Sequence, residues 1–90
     1  MLTRIFMSRI IDSDKKNLIG GNLKQLRSNL KVSQQELSNK LELLGVYICR
    51  GSISRIEDYS RTVTDIELFA IAEVLKIDPK DLYNYELINR

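Results

Sequence analysis

The chain has 90 residues, 43% of them apolar and 29% charged, with a net charge of +2. That is the composition of one soluble globular domain, large enough for a single core and not for a separate effector domain. It has no histidine and a single cysteine, Cys49. This excludes an internal disulfide, any His- or Cys-rich metal site and every catalytic arrangement that needs a histidine base.

No cofactor, metal or small-molecule ligand is therefore expected, and no enzyme. The uncharged stretch Leu43 to Cys49 is far too short to span a bilayer. Arg4 and Arg9 interrupt the apolar residues of 1–11, unlike a secretory signal. The expectation is a cytoplasmic protein with no membrane partner. Charge is unevenly spread, +5 through Lys31, 0 from Val32 to Thr64 and −3 afterwards. A polyanion would meet the basic beginning, although an ordinary solvated surface explains the asymmetry as well.

Residues 1–16 come first. Leu2, Ile5, Phe6, Met7, Ile10 and Ile11 are too apolar for a plain tail. They read as an N-terminal extension, packed on the domain or serving as a dimer arm, with Asp12 to Asn17 as a polar linker. The domain proper is expected over 17–90. Its first helix runs from about Leu18 to Leu30, with Ile19, Leu23, Leu26 and Leu30 at intervals of three and four. The second opens at Ser33-Gln34-Gln35-Glu36, a capping box in which hydroxyl and carboxylate satisfy free amides. Leu37, Leu41 and Leu44 form its apolar stripe, and Gly45 offers a left-handed terminator.

A short third helix is expected from Arg50 to Asp58. Cys49, Ile53 and Ile56 would face the core, while Arg50, Gly51, Ser54, Arg55 and Asp58 point away. The fourth opens with a second capping box, Thr64-Asp65-Ile66-Glu67, and buries Ile66, Phe69, Ala70, Val74 and Leu75. The fifth starts with Asp78 as cap and Pro79 at its first position, and continues through Leu82, Tyr85 and Ile88. The fold class is thus all-α, five helices.

Segments two and three have the form of a helix-turn-helix, in which the first helix braces the DNA backbone and the second lies in the major groove. From Ile19 to Leu82 the sequence resembles the Cro/repressor-type (XRE-like, lambda-repressor-like) DNA-binding family. The matching residues are Ile19, Leu23 and Leu26-Arg27, then Ser33-Gln34-Gln35-Glu36-Leu37, Ile53-Ser54-Arg55-Ile56-Glu57, Arg61, and Asp65-Ile66-Glu67-Leu68 with Ile71-Ala72 and Leu75. The ordered set is specific where the single pieces are not.

The resemblance implies roles. Arg27 and Glu57 would form a partly buried salt bridge tying helix one to helix three. Arg50, Gly51, Ser54 and Arg55 would face bases, with Arg55 the leading candidate for bidentate contact to a guanine. Ser33, Gln34, Ser60, Arg61 and Thr62 would contact phosphates. The chain departs from the family in three places. The turn from Leu43 to Ile48 is extended, Ser38 replaces the usual alanine, and Asp58-Tyr59 stands where a glycine usually ends helix three. If that spot needs a left-handed backbone, Tyr59 is strained or the helix ends differently.

The function implied is a sequence-specific double-stranded DNA-binding regulator, a repressor acting as a homodimer on a near-palindromic operator. The sequence leaves open a second class: a helix-turn-helix module that binds protein, such as an antitoxin or anti-repressor. Salt discriminates them, because phosphate contacts weaken steeply as salt rises and apolar protein contacts do not.

Overall fold

The computed structural model describes residues 14–83, and every regular element in that range is helical. Helix α1 spans Gly20–Asn29, α2 Gln34–Leu43, α3 Arg50–Glu57 and α4 Asp65–Leu75, followed by a 3-10 turn at Pro79–Leu82. Both predicted capping boxes form. Ser33 Oγ accepts from the Glu36 amide at 3.0 Å while Glu36 accepts from the Ser33 amide at 2.9 Å. Thr64 and Glu67 repeat the exchange at 3.1 and 3.0 Å.

The last segment begins as its sequence predicts, with the Lys80 amide donating to Asp78 and Pro79 at the first position. It then departs from the expected fifth helix. Tyr83 is extended (φ −88, ψ 148), so the described part is one 3-10 turn. The physical reason lies on α1. Asn22 Nδ2 donates to the carbonyls of Asp81 and Tyr83, at 2.6 and 3.1 Å, occupying acceptors that a continuing helix would use. Tyr85, Leu87 and Ile88 lie outside the described residues, as do the apolar residues of the expected N-terminal extension.

All four α-helices end in the same way. A residue with positive φ follows each: Lys31 (59°), Gly45 (83°), Tyr59 (68°) and Lys76 (58°). Each is flanked by the paired bonds of a Schellman motif, for example Val32 N to Arg27 O and Lys31 N to Ser28 O, both 3.0 Å. The residue after the left-handed one is apolar in three cases, and Val32, Val46 and Ile77 pack on the core. Only α2 has the glycine that the motif favours. Tyr59 therefore adopts the left-handed conformation that the missing glycine of helix three made the question.

The core gathers Ile19 and Leu23 of α1, Leu37 and Leu41 of α2, Ile53 and Ile56 of α3, Ile71 and Leu75 of α4, and Leu82. Three expectations are corrected. Cys49 is exposed, and Ile48 fills the place assigned to it, because Cys49 sits at the cap outside the first turn of α3. Ile66 and Phe69 are 69% and 61% exposed; α4 buries Ala70 and Leu75 as expected, and Ile71 and Ala72 take the remaining inner places. Apolar residues surround so much of this helix that spacing alone does not choose its inner face. Leu30 and Leu44, one step past their helices, are half exposed. At Gly20 a Cβ would run into the carbonyl oxygen of Ile56, so α1 starts directly against the end of α3. Among the described residues no helix is long and apolar enough to cross a membrane.

Candidate nucleic-acid interface

The geometry of α3 is set from both ends. At its start, the extended turn is tied down by Ser38, whose hydroxyl donates to the Ile48 carbonyl at 2.7 Å. The residue substituted for alanine thus holds the turn to α2. Cys49 follows as the cap, its thiol 3.4 Å from Ser52 Oγ. Hydrogen bonding with Ser52 holds that thiol below its ordinary pKa.

At the other end, Asn17 holds α1 and α3 together. Its Oδ1 accepts from the Ile19 and Gly20 amides at 3.0 and 2.8 Å, capping α1. Its Nδ2 donates to the carbonyls of Ile56 and Arg61 at 3.0 and 2.8 Å. Sequence reasoning had Asn17 as the end of a polar linker. The available signal was an Asn three residues before a helix start.

A buried polar cluster fixes the inner face of α3. Glu57 is only 6% exposed. Arg27 donates to it through Nε at 2.7 Å and Nη2 at 3.1 Å, and through Nη1 to the Val32 carbonyl at 2.8 Å. Gln34 Nε2 donates to Glu57 Oε1 at 2.9 Å, so the first turn of α2 joins the cluster. The Glu57 carboxylate raises the Arg27 pKa above its usual value. No buried side-chain polar atom of the described residues lacks a partner.

With Ile53, Ile56 and Glu57 turned inward, Arg50, Gly51, Ser54 and Arg55 share one exposed face. Arg55 Nη2 donates to Ser52 Oγ at 3.0 Å, which lays its guanidinium along the helix. Neither Arg50 nor Arg55 is ion-paired within the described residues. At Gly51 a Cβ would touch only Arg55 Nη1, at 3.8 Å, so nothing in the protein requires a glycine there.

The remaining candidates lie at the start of α2 and in the loop after α3. Ser33 is exposed, and its hydroxyl still has a proton to donate. Gln34 is half-buried and shared with Glu57. Ser60 bonds back to Asp58 and to the Arg55 carbonyl, closing the end of α3. Thr62 is exposed. Arg61 is engaged inside the protein: Nη1 and Nη2 each reach Glu67 at 3.1 Å, and Nη1 donates to the Thr62 carbonyl. That pairing raises the Arg61 pKa and holds the Glu67 carboxyl below its usual range, with the Thr64 amide assisting.

Two helices joined by a turn, the second locked by its inner face and bare on its outer one, define a helix-turn-helix protein. Neither a family model nor a curated protein matches the chain. Among solved structures it is similar to the high-resolution crystal structure of the restriction-modification controller protein C.AhdI from Aeromonas hydrophila. The two are 26% identical with a TM-score of 0.64, over 72% of this chain and 87% of that one. This likeness agrees with the resemblance that the sequence bears to the Cro/repressor-type helix-turn-helix family.

Proposed function

We propose that this chain is a sequence-specific double-stranded DNA-binding regulator, a repressor that acts in the cytoplasm as a homodimer on a near-palindromic operator. The observation that carries the reading is the two-sided character of α3. Its inner face is fixed by Ile53, Ile56 and the Arg27–Glu57 pair, while Arg50, Gly51, Ser54 and Arg55 are exposed together. Arg55 donates to guanine O6 and N7, Arg50 and Ser54 read neighbouring bases, and Gly51 lets the helix approach closely. Ser33, Gln34, Ser60, Arg61 and Thr62 position the backbone through phosphates. For Arg61 only the N–H groups not taken by Glu67 and Thr62 serve. The similar solved protein is named a controller, which favours a regulator over a protein-binding module.

Selection of bound duplexes from a random pool tests this, with wild type beside Arg55→Ala. The expected result is a near-symmetric motif at which Arg55→Ala loses discrimination at one position per half-site. Absence of any enriched motif, with negligible binding at physiological salt, overturns it.

A further inference from the structure

One face of α4 is unused by the core and by the α3 surface. Ile66, Phe69, Glu73 and Lys76 recur along it at intervals of three and four, and all are exposed. Leu44 and Val46, from the turn before α3, form the opposite wall of a shallow groove beside Phe69. Contiguous apolar surface of this kind marks a contact site on a protein that is otherwise well packed.

The pattern of charge says what covers it. Asp65 opens α4 and Lys76 follows its end, both exposed and about 16 Å apart at the helical rise. A twofold contact applies the same patch to itself, with every element meeting its counterpart in reverse order. Laid antiparallel on another α4, Asp65 comes over the partner subunit's Lys76 and Lys76 over the partner subunit's Asp65. Phe69 then lies beside the centre of the contact, with Ile66 towards the Asp65 end. The antiparallel arrangement also opposes the two helix dipoles favourably. We propose that the α4 face around Phe69 is the surface on which a second copy of this chain docks. Asp65 at one end and Lys76 at the other are self-complementary under this rotation, with the Glu73 carboxylate one turn inside Lys76 on the same face. None of these residues belongs to the exposed face of α3. The inference rests on the homodimer in the reading above and does not need the DNA.

Sedimentation equilibrium of the full chain without DNA tests it. The set is wild type, Phe69→Ser, Asp65→Lys, Lys76→Glu and the double reversal, each checked by circular dichroism for native helix content. Wild type is expected to dimerise, and Phe69→Ser to raise the dimer dissociation constant about tenfold or more, the size of a buried anchor's loss. Each single reversal weakens the dimer, and the double reversal recovers it. A monomeric wild type, an unchanged Phe69→Ser dimer, or a double reversal no tighter than the singles overturns the proposal. A symmetric DNA motif together with an unchanged Phe69→Ser dimer removes this surface and leaves the DNA reading standing. A patch-dependent dimer with no DNA motif does the reverse.

Discussion

Arg27 and Glu57 meet across the α1–α3 junction through two hydrogen bonds, with side chains only 12% and 4% exposed. Removing one partner strands the other's charge in a place water barely reaches. Arg27→Ala or Glu57→Ala is expected to lower the unfolding free energy by about 3–5 kcal/mol. For a domain this small that is a large part of the total. The double change, Arg27→Ala with Glu57→Ala, should cost less than the sum of the single changes. Urea denaturation of the four proteins checks it, and additivity would show that the pair is not coupled.

The left-handed residues predict a gain. An L-residue at positive φ costs about 1–2 kcal/mol, part of which glycine returns as chain entropy in the unfolded state. Lys31 is exposed at φ 59. Lys31→Gly is therefore expected to stabilise the protein by about 0.5–1 kcal/mol. Gly45→Ala, at φ 83 with no neighbour within 4 Å, should destabilise through the backbone alone. Tyr59 differs, because its ring lies under the Lys15 ammonium at 4.5 Å and its carbonyl accepts from the Lys16 amide. Thermal melts of the first two variants give opposite signs if this account is right.

Glu67 sets an acid limit. Its carboxyl lies below the usual 4.5, chiefly because Arg61 donates to it, against a smaller opposing effect of burial. A pKa lowered in the folded state gives stability that is complete above the ordinary value and is lost as pH falls below about 4.5 through the lowered one. Glu36, held down by the Ser33 amide, adds in the same direction. Glu67→Gln should flatten the fall of stability between neutral pH and pH 3, as followed by urea midpoints. An unchanged slope would place the acid sensitivity elsewhere.

Arg55 and Arg61 should part company in assay. Arg55 has one internal bond, to Ser52, and Arg55→Ala is expected to leave stability within about 0.5 kcal/mol. Its loss at a cognate base pair should be about 1–3 kcal/mol of discrimination. Arg61→Ala breaks the tie to Glu67 and should lower the melting temperature as well as affinity. Its effect on binding should be similar across DNA sequences. Melting curves beside binding isotherms separate the two.

The parts of this molecule that sequence made legible are those with local causes. Ser33 and Glu36, Thr64 and Glu67, and Asp78 with Pro79 mark helix starts because cap and amide lie three residues apart. Facing on α3 was legible because Ile53 and Ile56 are its only large apolar residues. On α4 the same reasoning misplaced Ile66 and Phe69, since tertiary packing chooses among many apolar faces. Asn17 and Asn22 were missed for a related reason. Their acceptors, on Ile56, Arg61, Asp81 and Tyr83, are 39 to 61 residues away along the chain. The Arg27–Glu57 contact spans 30 residues and was named only through family resemblance.

The Ser38–Ile48 bond bears on how this turn tolerates change. It fixes the turn at its exit, directly before the Cys49 cap, while Gly45 and the core-packed Val46 fix its entry. Insertions next to Tyr47, 76% exposed between the two ties, would alter the length of an exposed arc, and closing a slightly longer arc adds little entropy. The direction in which α3 leaves the turn would be unchanged. Ser38 thus separates the length of this segment from the aim of the helix that follows it.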